Sequence, residues 1–240
     1  MTREASLKAQ ATRKLRASLN QSSRIVLVGI ELEGGYDRQI EHREWLTGDG
    51  SVHAEGSYYV GECVLPPRKL VDAIELVKEN FPDHANDTCG MHIHLSFDNK
   101  ISYGKLKTPE FYNYFLVRLE QWGSKNQIYA KSPFWKRLRE GNNYCQKGFN
   151  AERQLKATSK DRARYYHLNY CYNFGGMLMP RKTLEVRILP MFKKKTLAIS
   201  AITEVVNIFN EWLNDPRQDF QDVSFDLVDT EDELNMEMIV

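Results

Sequence analysis

The sequence lacks a long apolar run, since no stretch of eighteen consecutive apolar residues occurs in its 240 residues. A helix that crosses a membrane needs about 20 predominantly apolar residues, so we expect no membrane association. The stretch after Met1 is polar, and we expect no secretory signal peptide. These two absences predict a cytoplasmic protein.

Cysteine is scarce, and neither sign of charge is in excess. The four cysteines show no Cys-x-x-Cys spacing, and without an export signal we expect them to be reduced thiols. The formal net charge of +1 argues against bulk binding of nucleic acid. The sequence contains no internal repeat. Its length suits one large domain or two small ones, with ample chain to bury a core.

Apolar and polar residues alternate most clearly between Cys89 and Phe97. The two-residue period of a strand places the apolar residues on one face and His92, His94 and Ser96 on the other. Two imidazoles about 7 Å apart along a strand suit a metal or phosphate site. The alternative interpretation is an open strand whose histidines contact water.

Three further predicted strands carry charged residues on one face. Their ranges are 24–35, 57–67 and 183–190. Glu31 and Glu33 share a face of the first strand, and two like charges there repel unless a cation or an arginine lies between them. Glu62 lies in the second strand, where an unpaired carboxylate is costly if buried. Glu185 and Arg187 in the third are either a plain ion pair or a metal-binding carboxylate beside a phosphate-binding guanidinium.

Helical spacing of apolar residues occurs in four segments. The predicted helices span residues 67–81, 108–122, 126–139 and 196–213. Thr108 is the expected N-cap of the second helix, and Pro109 occupies its first position. The aromatic stripe of this helix is expected in the core. The basic segment 141–163 is either a solvated loop or a lid whose cations reach phosphates.

Taken together, these patterns predict an α+β fold. The expected architecture is a curved, mainly antiparallel sheet with helices on its convex face and a polar, concave active site. Four glutamates in one groove require divalent cations. Carboxylate oxygens with few imidazoles favour Mg²⁺ or Mn²⁺ over Zn²⁺, and such ions flanked by arginine and lysine commonly handle nucleotide phosphates.

The motifs also resemble a known superfamily. They are Gly29-Ile30-Glu31-Leu32-Glu33, Glu62 before Pro66-Pro67, Cys89-Gly90-Met91-His92-Ile93-His94, Arg164 with Asn169, and Glu185-Val186-Arg187. In this order they resemble the glutamine synthetase-like carboxylate–amine ligases, and above all the amidoligase family, which has small members in bacteria and their phages. The resemblance covers roughly residues 25–213 and implies a glutamine synthetase-like catalytic domain over 24–215. It leaves unexplained an insertion at 99–163, a basic extension at 1–23 and an acidic tail at 216–240.

The resemblance implies ATP-dependent amide formation through an acyl phosphate, from small-molecule or peptide carboxylate and amine substrates. The implied ligands of two or three Mg²⁺ (or Mn²⁺) ions are Glu31, Glu33, Glu62, His92 and Glu185. The implied nucleotide-binding residues are His94, Ser96, Asn169 and Arg187. Arg187 and Arg164 would stabilise charge on the transferring γ-phosphoryl group. Glutamine synthetase relatives often assemble as rings, so a homo-oligomer is one expectation.

Three alternatives compete with this interpretation. A Zn²⁺ hydrolase would use the histidines and glutamates to activate water and would need no nucleotide. A phosphotransferase of the related guanidino-kinase fold would use ATP and Mg²⁺ but release a phosphorylated product. A binding protein without activity would leave the carboxylates facing solvent.

Overall fold

The computed structural model describes residues 24–98, 105–148, 165–173 and 182–215. The predicted extension at 1–23 and the acidic tail at 216–240 lie outside these residues. So do Arg164 and residues 149–163 of the candidate lid. In the described ranges, no helix has both the length and the apolar character that crossing a membrane requires.

A six-stranded sheet organises the fold. The described residues contain eight strands, six of which form this sheet: β1 (Ile25–Tyr36), β2 (Leu46–Thr47), β3 (Tyr59–Arg68), β4 (Met91–Phe97), β5 (Gly141–Asn142), β6 (Cys145–Gln146), β7 (Leu168–Asn173) and β8 (Lys182–Val186). The sheet order is β2-β3-β1-β4-β8-β7, and every neighbouring pair is antiparallel. Strands β5 and β6 form a separate hairpin. The predicted α+β class with a mainly antiparallel sheet is confirmed.

Among the described residues, four α-helices accompany the sheet. They are α1 (Leu70–Glu79), α2 (Pro109–Lys125), α3 (Pro133–Arg139) and α4 (Lys195–Asn214). Phe209 of α4 packs against Phe97 of β4 and against Phe111 and Phe115 of α2. The Thr108 hydroxyl accepts a hydrogen bond from the Phe111 amide, which confirms the predicted cap. The aromatic stripe of α2 therefore belongs to the core, as predicted.

The prediction that a helix begins at Pro67 is wrong. Pro66 and Pro67 belong to β3, which pairs with β1 as far as Arg68, and α1 begins only at Leu70. Strand β2 covers the other side of β3 only at Glu62 and Cys63. Beyond that point β3 is an edge strand, where a proline without an amide hydrogen is tolerated.

The predicted helix at 126–139 is shorter in the structure. Asn126 is the C-cap of α2, and α3 begins at Pro133. Proline fits the first turn of a helix and disfavours helical backbone at the residue before it, so it separates the two helices.

The hairpin of β5 and β6 is the described part of the segment predicted as a loop or lid. The Gln146 amide donates to the Tyr165 carbonyl, and the His167 amide donates to the Gln146 carbonyl. The Tyr144 carbonyl accepts a hydrogen bond from Nε of Arg187 at 3.2 Å. The hairpin is thus attached to the chain around β7 and β8, beside the polar face of the sheet.

Candidate functional site

The strand register brings the polar residues of β1, β3 and β4 onto one face of the sheet. Glu33 pairs with Glu62 across β1 and β3, and Glu31 pairs with His92 across β1 and β4. Directly paired residues of antiparallel strands project on the same face. Glu33 of β1 therefore lies beside the carboxylate of Glu62 on β3, and Glu31 lies beside the imidazole of His92 on β4.

The register of β8 and β7 extends this polar face. His94 pairs with Glu185, and Glu185 pairs with Asn169. His94 is 1% exposed, and Glu185 and Asn169 are fully buried. His92 is also buried, at 5% exposure, so neither histidine lies on an open, solvent-exposed strand face.

Glu31 lies at the centre of the site. Its Oε2 is 2.8 Å from Nδ1 of His92, and its Oε1 is 2.9 Å from Nε2 of His94. Among the described residues, two groups able to hold a metal ion share this carboxylate, one with Glu62 and His92 and the other with His94 and Glu185. In each group the ligand atoms lie within 4.8 Å of one another. The site can therefore offer two carboxylates and one imidazole to each of two ions.

Glu185 is held in place by its neighbours. Nδ2 of Asn169 donates to its Oε2 at 2.9 Å, and Nη1 of Arg187 donates to its Oε1. The Arg187 guanidinium lies 5.3 Å from the ring centroid of Tyr165 and also donates to the Tyr144 carbonyl. Such contacts fix the orientation of a carboxylate and limit the motion of the arginine beside it.

The pKa of Glu31 is lowered, whereas the pKa of Glu62 is raised. Burial raises the pKa of Glu31, but the charge of His94 and hydrogen bonds from His92 and His94 outweigh it and bring this pKa well below the usual range. Burial and the charges of Glu31 and Glu33 raise the pKa of Glu62 to about 9. Without a metal, Glu62 is therefore protonated at neutral pH, and a bound cation would displace this proton.

Arg187 keeps its charge although its side chain is only 11% exposed. Burial alone would lower its pKa, but the carboxylates of Glu185 and Glu31 raise it above its usual value. The site therefore contains a permanent cation bound to one of its candidate metal ligands.

Glu33 and Gly90 form the edge of the site. The Gly90 amide donates to Oε2 of Glu33. A Cβ atom at Gly90 would lie 2.9 Å from Nε2 of His92, 3.1 Å from Nη1 of Arg137 and 3.2 Å from Oε2 of Glu33. Glycine is needed here because three functional groups lie close to the position that a Cβ atom would occupy. The backbone conformation is not the reason, since φ of Gly90 is not positive.

If the metal-capable groups hold a divalent cation, Gly90→Ala is expected to weaken its binding at least about tenfold, because the added methyl group displaces the His92 ring and its neighbours. The fold should persist, since the backbone conformation suits alanine. Calorimetric titration of Mg²⁺ measures the effect. Gly48→Ala is the control, because a Cβ there meets nothing within 4 Å. An affinity equal to that of the wild type would contradict this account of Gly90.

The predicted site residues differ in where the structure places them. Glu31, Glu62, His92 and Glu185 belong to the two metal-capable groups, and so does His94, which the resemblance placed at the nucleotide. Glu33 contacts His92 at 3.5 Å but belongs to neither group. Asn169 contacts Glu185.

Ser96 is engaged elsewhere. Its hydroxyl accepts a hydrogen bond from the Leu27 amide at 3.0 Å, beside the irregularity in the pairing of β1 and β4. It lies in neither metal-capable group. Its predicted contact with a nucleotide stays a prediction.

Arg137 is a site residue that sequence reasoning missed. With Glu33, His92 and Arg187 it lines a cavity of about 470 Å³ at the open side of the metal-capable groups. In the sequence it is one of several cations on a short helix, among Lys136 and Arg139, and nothing in that pattern distinguishes it. Only its 6% exposure does so.

No protein-family model matches the chain, and no curated protein matches it. The resemblance to the amidoligase family therefore depends on the quoted motifs alone. The side chains of the site are accordingly the basis for assigning a function.

Proposed function

We propose that the chain is an ATP- and Mg²⁺-dependent carboxylate–amine ligase that forms an amide bond through an acyl phosphate. The observation that carries this proposal is the pair of metal-capable groups that share Glu31, with Arg187 bound to Glu185. Mg²⁺ or Mn²⁺ would neutralise and align the phosphates of ATP when bound. On this proposal the polar face is the concave side of a glutamine synthetase-like sheet.

The residues present fit such an ion. Each group offers mostly carboxylate oxygens, the donors that Mg²⁺ and Mn²⁺ prefer. Glu31 is ionised at neutral pH, and Glu62 becomes available once its proton leaves. Asn169 holds Glu185 in a fixed orientation without adding charge. The ligand sets are thus organised before a cation arrives.

The side chains of the site have separate roles in the proposed reaction. A carboxylate oxygen of the acid attacks the γ-phosphorus and ADP leaves. The neutral amine then attacks the acyl carbon, phosphate leaves, and the proton that the amine loses passes to that phosphate. Arg187 would stabilise the charge on the phosphoryl oxygens, because its guanidinium is positioned by Glu185 and Tyr144.

A Zn²⁺-dependent hydrolase with two metal ions is the second candidate. The observation in its favour is that each metal-capable group contains an imidazole, from His92 in one and His94 in the other. Zn²⁺ accepts imidazole together with carboxylate ligands. Such an enzyme would act without nucleotide and would be inhibited by chelators.

A thermal-shift matrix separates the two candidates. The conditions are protein alone, with Mg²⁺, with Zn²⁺, and with Mg²⁺ plus a non-hydrolysable ATP analogue. A ligand that binds only the folded state raises Tm, by about 5–10 °C at a concentration 100 times its Kd. We expect this increase with Mg²⁺ plus the analogue, and we expect Glu185→Gln to lose it.

Glu75→Gln is the matched control, because Glu75 lies on the exposed face of α1 and pairs with Lys78. It should keep the full increase. Stabilisation by Zn²⁺ alone would favour the hydrolase. The absence of any shift would overturn both candidates and favour a binding protein. Where the shift is found, screening of acid and amine pairs for ADP release and amide formation follows.

A further inference from the structure

Arg137 of α3 is a buried cation that is held by two backbone carbonyls. It is 6% exposed, Nη1 donates to the Leu189 carbonyl, and Nη2 donates to the Cys89 carbonyl, each at 3.0 Å. Throughout the described ranges, no carboxylate forms an ion pair with it. A guanidinium has five N–H donors, so three remain beyond these two hydrogen bonds.

A buried charge without a counter-ion is unfavourable. Burial lowers the pKa of Arg137, and the charge of Arg187 acts in the same direction. Glu33 is close enough to oppose this effect but does not pair with the guanidinium. An anion bound from solution would provide the missing counter-charge.

The cavity beside Arg137 has room for such an anion. Its volume is about 470 Å³, and Arg187, Tyr144 and Tyr165 also line it, as do the acidic residues Glu33, Asp49 and Asp87. Arg187 is fixed by Glu185 and by the Tyr144 carbonyl. The two guanidiniums therefore border one cavity from different elements, α3 and the segment after β8. Neither cation can move away freely, because each donates to the backbone.

We propose that Arg137 and Arg187 form an oxyanion subsite in this cavity, which binds a carboxylate or phosphate group. Guanidinium groups hold such oxyanions through two parallel hydrogen bonds. If the oxyanion belongs to the acid substrate of a ligase, that identification rests on the proposed function. The subsite itself does not, since it needs neither nucleotide nor metal.

The test is a calorimetric titration of two probes, inorganic phosphate and succinate, in buffer without nucleotide or divalent metal. We expect Arg137→Met to weaken binding by about 10- to 100-fold, the effect of losing charge-assisted hydrogen bonds. Arg139→Met is the matched control. It removes one positive charge from the same helix, but the Arg139 side chain is 60% exposed. It should bind both probes as the wild type does.

Each outcome has one meaning. Binding of phosphate alone identifies a phosphate subsite, binding of succinate alone identifies a carboxylate subsite, and binding of both supports a general oxyanion subsite. No binding to the wild type, or equal weakening in both variants, overturns the proposal. Absence of the Mg²⁺-nucleotide shift in the wild-type protein would overturn the ligase and leave this result unaffected.

Arg137 also donates hydrogen bonds to two backbone carbonyls, so Arg137→Met could fail to fold. A second measurement covers that case. Crystals of the wild-type protein soaked in selenate should show a selenium anomalous peak within hydrogen-bond distance of Arg137. A cavity without this peak would overturn the proposal.

Discussion

Glu31→Gln is expected to abolish turnover of the proposed ligase and to weaken its divalent-metal binding by more than about 100-fold. This effect is larger than the roughly 10- to 100-fold loss that is typical when a residue supporting a metal ligand is changed. Glu31 is shared by both metal-capable groups, so one substitution removes an anionic ligand from each of them. Glutamine has nearly the same shape, and its amide can still meet His92 and His94. The fold should therefore persist while both ions are lost.

The same substitution is expected to destabilise the metal-free protein. A carboxylate whose pKa is lowered on folding adds stability above its unfolded pKa, and this contribution disappears as the pH falls through the folded pKa. The lowered pKa of Glu31 thus predicts a loss of stability at neutral pH. Calorimetry with Mg²⁺ and urea unfolding at pH 7 measure the two effects. Full Mg²⁺-ATP-dependent activity in Glu31→Gln would eliminate Glu31 as a metal ligand.

Glu62→Gln is expected to stabilise the metal-free protein and to weaken its binding of a divalent metal. The pKa of Glu62 is about 9 in the folded protein, against a usual value of 4.5. At pH 7 the unfolded chain is ionised at this residue and the folded chain is not, which opposes folding by about 3 kcal/mol. Glutamine resembles the neutral carboxyl group and avoids this cost. The variant should therefore be more stable than the wild type without metal.

The pH dependence has a defined window. The folded state holds the Glu62 proton more tightly than the unfolded chain, so the stability of the metal-free wild type falls as pH rises from about 4.5 to about 9. Glu62→Gln removes this contribution. Urea unfolding with a chelator at pH 5, 7 and 9 measures it, and a Mg²⁺ titration should show weaker binding in the variant. A variant that is less stable than the wild type at pH 9 would refute this assignment of the proton.

Local pattern alone determined which residues share a face. Because strand geometry repeats every two residues, the alternation around His92 and His94, around Glu31 and Glu33, and at Glu185 could be interpreted without knowing any partner strand. The start of α2 was equally local, since Thr108 and Pro109 mark it directly. These features depend only on residues near one another along the chain, and they were sufficient to predict a polar sheet face rich in carboxylates.

Tertiary structure alone decided how these residues meet. The strand order β3-β1-β4-β8 places Glu31 between His92 and His94 and brings Glu185 beside them, although residues 31 and 185 are far apart in sequence. Burial of Arg137 depends on where α3 packs, and its sequence neighbours are ordinary surface cations. The proton on Glu62 likewise depends on charges from another strand. Electrostatic energy depends on distance in space and on access of water, and neither quantity is encoded in local periodicity.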